Sequence, residues 1–168
     1  MAFSVFKNIN RFANKSKLLD LSAVFCARYL LYLMVVFLLL FAFATGSWQI
    51  FFYPLLSGLI SAFVLDKIIY VFYKRHRPAE LKSANILIPV PKNPSFPSRH
   101  TSLLFGISFY LFFYNTPLAI FFVICSCLVG IARVFCGVHW FSDILAGAFV
   151  GFVSALAVYG LLNCIKFI

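Results

Sequence analysis

Acidic residues are the scarcest charged groups in this chain of 168 residues, which has four of them against 14 lysines and arginines. Charged residues of all kinds make up 11% of the sequence. Soluble globular chains average about 25%, so the composition excludes an ordinary aqueous domain. The four acids are scattered, and no cluster of carboxylates is available to hold a catalytic metal ion. We therefore expect neither a metal nor another cofactor.

Zinc motifs, internal repeats and exposed basic stripes are also missing. The five cysteines lie mostly inside apolar segments, and Cys125-Ser126-Cys127 has neither the usual zinc spacing nor a nearby histidine. We interpret all five as small buried apolar residues. The lack of a visible repeat disfavours a transporter. The net charge of +10 comes from sparse cations beside apolar runs, which excludes nucleic acid as a partner and favours membrane lipids and a lipid phosphate substrate.

Apolar residues dominate the chain, with a hydrophobic content of 64% and 23 phenylalanines. A membrane helix needs about 20 apolar residues, and five segments reach or approach that length. These segments are residues 22–45, 48–73, 99–114, 116–136 and 139–165. The sequence thus predicts a single all-α domain over residues 1–168, a polytopic membrane helix bundle. Its oligomeric state is left open.

An amphipathic stretch, residues 2–17, precedes the first predicted span. On a helix its apolar side chains would fall on one face and its cations on the other: Phe3, Phe6, Ile9 and Phe12 against Lys7, Arg11 and Lys15. This pattern is typical of a helix lying in the membrane interface. A frayed basic tail is the alternative interpretation.

The connections between spans determine which helix ends meet. The loops at residues 45–47 and 115–117 are very short and force their neighbours to pack antiparallel. The long connection, residues 74–98, is polar and broken by prolines, so it should cap one membrane face as an active-site loop. Antiparallel packing then places three polar clusters on that face, and they contain all three histidines: residues 74–78, residues 97–100, and Arg133 with His139 and Asp143. Cations at the ends of membrane helices are costly without an anionic partner, so the clusters predict a phosphate site.

Few charges are predicted to lie inside the spans themselves. Asp66 and Lys67 are adjacent in the second span, and we expect them to neutralise one another or neighbouring groups. Arg28 lies within about two helical turns of the polar face and is expected to extend toward it.

His139 and Asp143 are four residues apart at the start of a predicted helix, so they share a face. A carboxylate there can accept a hydrogen bond from one imidazole nitrogen and fix the tautomer. The other nitrogen is then free to attack phosphorus. The alternative is an interfacial histidine with an aspartate near a helix N-terminus.

The remaining polar residues of the clusters suit phosphate binding. The planar guanidinium groups of Arg133 and Arg77 match phosphate oxygens, although each could instead extend to lipid headgroups. Ser98 begins the third predicted span, where backbone N–H groups and its hydroxyl form an anion cradle, and it is also a possible N-cap. His100 is a candidate general acid for the leaving oxygen.

In combination these residues resemble the type 2 phosphatidic acid phosphatase superfamily of lipid phosphatases. That family has three motifs: Lys-x6-Arg-Pro, Pro-Ser-x-His and Ser-Arg-x5-His-x3-Asp. The matching residues, in the same order, are Arg77-Pro78, then Pro97-Ser98-Arg99-His100, then Arg133, His139 and Asp143. Within the family the compact plan is most similar to small bacterial undecaprenyl-diphosphatases.

The resemblance implies metal-independent hydrolysis of the terminal phosphate of a polyprenyl diphosphate through a phosphohistidine on His139. Asp143 would orient His139, and His100 would protonate the leaving group and then activate water. The implied phosphate-binding residues are Arg77, Ser98 and Arg133, with Arg99 and Lys74 as further cations. Phosphatidylglycerophosphate, phosphatidic acid and lipid A phosphates are alternative substrates. A non-catalytic protein that binds anionic lipid is a further alternative.

Two positions depart from the family motifs. Tyr70 stands where the first motif has lysine, and Ala132 stands where the third has serine. Lys67, three residues before Tyr70, and Lys74, four residues after it, lie at helical spacing from it and are candidates to supply the missing charge. Arg99, in the variable position of the second motif, is an added cation that engages either the second phosphate of a diphosphate or the headgroup region.

The distribution of cations and the family resemblance predict opposite membrane orientations. Four N-terminal cations precede the first span on the polar face, and the positive-inside rule would place that face in the cytoplasm. The resemblance implies the bacterial plasma membrane with the site on its outer side, which is the orientation we expect.

Overall fold

A computed structural model describes residues 2–166, and 74% of the structure is helical, with no strand in those residues. The described chain forms eight α-helices: α1 (Ala2–Asn10), α2 (Lys17–Arg28), α3 (Leu30–Thr45), α4 (Gln49–Leu59), α5 (Asp66–Phe72), α6 (Arg99–Leu111), α7 (Thr116–Phe135) and α8 (Phe141–Lys166). A π-helical segment, Ile60–Leu65, joins α4 to α5. The all-α class predicted from the sequence is confirmed.

Three helical stretches are long and apolar enough to cross a membrane: Gln49–Phe72, Thr116–Phe135 and Phe141–Ile165. Helices α2 and α3 pass the same test only together, as a pair bent by 52°. The break lies at Tyr29, with neither proline nor glycine beside it. The described chain thus has three to four candidate spans, as expected of a multi-pass membrane protein.

Helix α6 is shorter than the third span predicted over residues 99–114. It has 13 residues, which corresponds to a length of about 20 Å, less than the roughly 30 Å of a bilayer core. It packs against α4, α7 and α8, and most of its side chains are buried. Because neighbouring helices cover it, its length need not match the bilayer.

Helix α1 ends at Asn10, well before residue 17, where the amphipathic pattern placed its end. The following turn contains Asn14 with a φ of 66°, a left-handed conformation that asparagine tolerates better than most residues. Phe6 is buried against the Trp140 ring, with centroids 5.2 Å apart. The helix therefore rests on the turn that follows α7; its place in the membrane interface stays a prediction.

Asn10 links the end of α1 by hydrogen bonds to the long loop and to the end of α7. Its side-chain amide donates to the carbonyl oxygens of Asn85 and Phe135, each at 2.8 Å. Its side-chain oxygen accepts from the backbone N–H of Asn85 at 2.9 Å. These bonds tie the N-terminal helix, the long loop and the end of α7 together.

Glycines allow α4, α6 and α8 to approach closely. A Cβ atom added to Gly106 would lie 2.9 Å from the Cα atom of Gly58, and one added to Gly151 would lie 2.6 Å from the backbone nitrogen of Gly106. Small residues at such crossings are how membrane helices bring their backbones together. Ser57 and Ser154 add hydrogen bonds between these helices, from Ser57 Oγ to the Gly106 carbonyl at 3.0 Å and from Ser154 Oγ to the Ser57 carbonyl at 2.7 Å. This packing holds α6, whose first turn enters the candidate site.

The cysteines are free and lie in unequal environments. Cys125 and Cys136 are buried, Cys26 is half-buried, and Cys127 and Cys164 are exposed. The expectation that all five are buried is therefore wrong for the last two. Both lie on apolar spanning helices, where an outward-facing side chain meets lipid.

Replacing Gly106 by alanine should destabilise the bundle, because the added methyl group meets the backbone of α4. We expect a loss of about 1–3 kcal/mol in the free energy of unfolding, typical of overpacking. The melting temperature of the purified protein in detergent measures this change.

Gly160→Ala is the matched control, because Gly160 is in α8 and a Cβ atom there has no neighbour within 4 Å. Alanine is the better helix former by about 1 kcal/mol, so the control should keep or raise the melting temperature. Equal effects of the two substitutions would contradict the close-packing interpretation.

Candidate active site

His139 lies in the turn between α7 and α8 and is 2% exposed. Gly137, with a φ of 82°, makes this turn. Nδ1 of His139 is 3.0 Å from the carbonyl oxygen of Ser95. A carbonyl only accepts hydrogen bonds, so Nδ1 bears the proton and Nε2 keeps a lone pair. This is the tautomer that a nucleophilic Nε2 requires.

Two guanidinium groups flank that lone pair. Nη1 of Arg77 is 3.2 Å from Nε2 of His139, and Nη2 of Arg133 is 3.5 Å from it. Arginine has donors only, which agrees with Nε2 as an acceptor. Burial, then Arg133 and Arg77, hold the pKa of His139 well below its ordinary value. The imidazole is therefore neutral at physiological pH.

Arg77 is fixed by carbonyl groups of the long loop and of the histidine turn. Its Nε donates to the Asn93 carbonyl at 3.0 Å, Nη2 donates to that of Pro94 at 3.1 Å, and Nη1 donates to that of Val138 at 2.8 Å. The side chain is 5% exposed. The loop thus holds a buried cation against His139 without giving it a carboxylate partner.

Arg133 is equally buried, at 4% exposure, and is held less tightly. Its Nη1 donates to the Ala27 carbonyl at 3.3 Å. Its Nε has no hydrogen-bond partner among the described residues. The serine that the family motif has before this arginine is Ala132 here, so no hydroxyl accompanies it. Arg133 therefore keeps donor capacity for a ligand.

Asp143 was expected to accept the hydrogen bond from His139, but its oxygens have other partners. Oδ2 is 3.5 Å from Nδ1 of His139; it accepts from the Ser95 hydroxyl and from the Trp140 backbone N–H, the latter at 2.9 Å. Oδ1 accepts from Nη1 of Arg75 at 2.8 Å. The carboxylate thus fixes Ser95, whose carbonyl fixes the histidine tautomer. Sequence reasoning missed Ser95 and the role of Arg75, since both depend on contacts across the fold.

Ser98 and His100 stand at the start of α6. Ser98 occupies the N-cap position, but its side chain makes no capping hydrogen bond. Its hydroxyl is buried and has no partner in the described part of the chain, which is unusual because buried polar groups are nearly always paired. Its backbone N–H donates to the Asp143 carbonyl at 3.1 Å. The serine therefore holds an unused donor close to Asp143.

A chamber of about 130 Å³ brings most of the predicted site residues together. Its walls come from α5, the long loop, α6, α7 and the histidine turn: Tyr70, Arg77, Pro91, Asn93, Arg99, His100, Arg133 and His139. Within residues 2–166 no three His, Cys, Asp or Glu side chains are grouped so that they could hold a metal ion. The chamber is accordingly cationic and small, which suits a phosphate group.

Two further cavities adjoin the chamber at His100. One, of about 240 Å³, is lined mainly by apolar side chains of α3, the π segment and α6, namely Leu31, Tyr32, Phe63 and Leu103. The other, of about 370 Å³, lies beside the break between α2 and α3 and includes Arg28. His100 therefore lies between the phosphate chamber and these two cavities, which are on the side of α3.

Neither Lys67 nor Lys74 lines the chamber, so neither supplies the charge missing at Tyr70. Both lysines are exposed, and Lys74 instead lines an adjoining cavity of about 690 Å³ on the polar face, which shares Arg77 with the chamber. Tyr70 is buried and donates its hydroxyl to the Pro97 carbonyl at 2.9 Å. Arg99 lies over its ring, with Cζ 5.6 Å from the ring centroid.

Two bacterial proteins resemble this chain over most of its length. Bacitracin transport permease protein BcrC of Bacillus licheniformis is 30% identical over 157 residues, which cover 92% of this chain and 77% of that protein. Undecaprenyl-diphosphatase BcrC of Bacillus subtilis (strain 168) is 28% identical over 155 residues, covering 91% and 80% respectively.

Solved structures show the same architecture. LpxE of Aquifex aeolicus matches with a TM-score of 0.73 and 25% identity over 94% of both chains. A PAP2-type phosphatidylglycerolphosphate phosphatase of Bacillus subtilis matches with a TM-score of 0.70 and 23% identity, covering 96% of this chain and 86% of that one; at this identity the likeness concerns the fold. The sequence also fits the family model over residues 48–164, which include all three motifs. The chain belongs to the PAP2 superfamily of lipid phosphatases.

Proposed function

We propose that the protein hydrolyses the terminal phosphate of a polyprenyl diphosphate, with undecaprenyl diphosphate as the substrate, through a phosphohistidine intermediate on His139. The observation that carries the proposal is the buried, neutral His139 whose Nε2 lone pair faces Arg77 and Arg133 at 3.2 and 3.5 Å. The similarity to an undecaprenyl-diphosphatase over 91% of the chain supports the choice of substrate.

In the first step Nε2 of His139 attacks the terminal phosphorus. The bond from that phosphorus to the bridging oxygen breaks, and the electron pair leaves on the oxygen of the polyprenyl phosphate. Burial, then Arg133 and His139, lower the pKa of His100 to about 3. The negative charge of the bound diphosphate offsets the charge of Arg133, so that His100 takes up a proton in the complex and gives it to the leaving oxygen. Arg77 and Arg133 neutralise charge on the transferred phosphoryl group, so the proposed reaction needs no metal ion. The unpaired Ser98 hydroxyl is assigned to the same group as a donor.

The histidine ring gains positive charge when its Nε2 bonds to phosphorus. Nδ1–H then donates more strongly to the Ser95 carbonyl. The Asp143 carboxylate, 3.5 Å away, stabilises the charge. Asp143 thereby acts both through space and through its hydrogen bond with Ser95.

In the second step His100, now neutral, takes a proton from a water molecule. The resulting hydroxide attacks phosphorus, the N–P bond breaks, and its electron pair returns to Nε2. Inorganic phosphate leaves, and His139 regains its starting tautomer.

The large cavity lined by Lys74, Lys92 and Arg75 adjoins Arg77, and we assign its lysines to attracting anionic headgroups.

We place the protein in the bacterial plasma membrane with the site on the outer side. The long loop and the histidine turn lie on the same face as the N-terminus, since α1 is bonded to both. The two similar BcrC proteins are from Bacillus species. An outer site would put the four N-terminal cations Lys7, Arg11, Lys15 and Lys17 outside as well, against the positive-inside tendency.

Replacing His139 by alanine should abolish phosphate release, because no nucleophile remains. We expect turnover of undecaprenyl diphosphate in detergent with EDTA to fall at least about a thousandfold, as removal of a covalent nucleophile commonly does. Phosphate release by the purified protein is the measurement.

His76→Ala is the matched control. This histidine is exposed and its Nδ1 is 2.7 Å from Glu80, so its loss should leave turnover unchanged. Equal turnover by the parent and the His139 variant would contradict the mechanism. Turnover of phosphatidic acid or phosphatidylglycerophosphate in place of the diphosphate would keep the mechanism and correct the substrate.

Replacing Arg75 by alanine should lower kcat about threefold to tenfold, because the buried Asp143 carboxylate loses a hydrogen bond from a partly exposed guanidinium group. We expect KM to change little, since the phosphate chamber is not lined by Arg75. Steady-state kinetics of Arg75→Ala, Arg75→Lys and the exposed control Lys82→Ala test this. Partial recovery in the lysine variant is predicted; a raised KM with normal kcat would instead mean that Arg75 binds substrate.

A cysteine placed at Lys82 should react with a membrane-impermeant maleimide in intact cells, because the long loop lies on the outer side in the proposed orientation. A cysteine at Thr116, an exposed residue where α7 begins on the opposite face, should react only after the cells are opened. The reverse pattern would place the site in the cytoplasm.

A further inference from the structure

Asp66 is a buried carboxylate that the chemistry above does not use. It is 0% exposed and lies where the π segment meets α5. Ser102 Oγ donates to its Oδ1 at 2.9 Å, while Oδ2 has no hydrogen-bond partner in the described part of the chain. Of the two expectations for Asp66, neutralisation by Lys67 is wrong, because that lysine is exposed, which leaves neighbouring groups. Burying a carboxylate is costly unless a cation compensates.

Arg99 is the cation on the face of Asp66. Phe63, Asp66 and Tyr70 are three and four residues apart and share one face of their helix. The Cζ atom of Arg99 is 5.5 Å from the Phe63 ring centroid and 5.6 Å from that of Tyr70. The guanidinium group thus lies over two rings that flank Asp66. Ser102, which bonds Asp66, is three residues after Arg99 on the same side of α6.

Arg99 also lies between the phosphate chamber and the apolar cavity. Arg99 and His100 are the residues that line both the phosphate chamber, with His139, and the apolar cavity, with Phe63 and Leu103. In the proposed reaction His100 protonates the oxygen that stays with the lipid. Whatever is bonded to that oxygen therefore lies past His100, toward the apolar cavity. Arg99 is placed beside this part of the substrate, and its buried Nε has no partner in the described residues.

We propose that Arg99 binds the phosphate that remains on the lipid, and that Asp66 positions Arg99 there, so that the site selects lipid diphosphates over lipid monophosphates. A diphosphate has an anionic inner phosphate at this place, whereas a monoester has only carbon and gains nothing from the cation. The stacking on Tyr70 also returns a cation to the region where the family motif has lysine. The inference rests on the proposed function and adds the residues that select a diphosphate substrate.

The test compares farnesyl diphosphate with farnesyl monophosphate, two substrates with the same tail and the same type of terminal phosphate. In Arg99→Ala we expect kcat/KM for the diphosphate to fall about 10- to 100-fold, the range for loss of a hydrogen-bonded charge contact. For the monophosphate we expect a change of less than about threefold. The exposed Lys67→Ala serves as the control and should leave both values unchanged.

Asp66→Asn keeps the size of the side chain and removes its charge, so it tests the positioning role. It should reduce the preference for diphosphate over monophosphate, while a merely structural defect would lower both turnovers alike. Arg99→Lys should retain part of the preference, which covers the case in which Arg99→Ala does not fold. Monophosphate turnover shows in each variant that the protein is folded.

Equal losses on both substrates in the Arg99 variants would overturn the inference and assign Arg99 to the transferred phosphate. An unchanged preference in Arg99→Ala would overturn it as well. A parent protein that hydrolyses neither substrate, nor undecaprenyl diphosphate, would overturn the proposed function together with this inference. The two failures are therefore distinguishable.

Discussion

Two buried arginines against one histidine nitrogen are the contact on which the rest of the site depends. Like charges of this kind repel strongly where water is excluded, and Arg77 and Arg133 lie at 5% and 4% exposure with Nε2 of His139 between them. Neither arginine has a carboxylate partner in the described residues. Arg77 donates to three backbone carbonyl groups and Arg133 donates to one. An entering phosphate supplies the anion that this arrangement lacks.

The fold holds this arrangement from several directions. The long loop supplies carbonyl groups to Arg77 and the Ser95 carbonyl to His139. Asn10 of α1 ties that loop to the end of α7, from which the histidine turn continues. Close glycine contacts among α4, α6 and α8 fix the helix that begins with Ser98 and His100. Each part of the site is thus held by an element that is distant in sequence, which is what preorganised charge stabilisation requires.

Much of the site could be predicted from the sequence because its signals are local. The spacing of Arg133, His139 and Asp143 is a property of one turn and one helix start, and short loops force the clusters onto one face. Apolar composition likewise gave the all-α membrane class. The lengths of the spans were harder to predict from the sequence. Helix α6 can be short because other helices cover it, and the break at Tyr29 has no proline or glycine beside it that would predict it.

The partners of the charged groups could not be predicted, because they are contacts between distant segments. Asp143 bonds Arg75 and Ser95, which precede it by 68 and 48 residues. The missing lysine at position 70 suggested Lys67 and Lys74 by helical spacing. Lys67 instead points outward from α5, Lys74 lies in the loop beyond that helix, and the cation stacked on Tyr70 comes from α6. Stacking of Arg99 on Tyr70 requires the crossing of two helices, and a sequence pattern within one helix cannot show it.

The stereochemical course at phosphorus tests whether His139 forms a covalent intermediate. A prenyl diphosphate whose terminal group is an isotopically chiral thiophosphate would be hydrolysed, and the configuration of the released thiophosphate determined. Attack by the histidine followed by attack of water inverts phosphorus twice, so the mechanism predicts retention of configuration. Inversion would mean a single direct attack by water, and the lone pair between Arg77 and Arg133 would then not be the nucleophile.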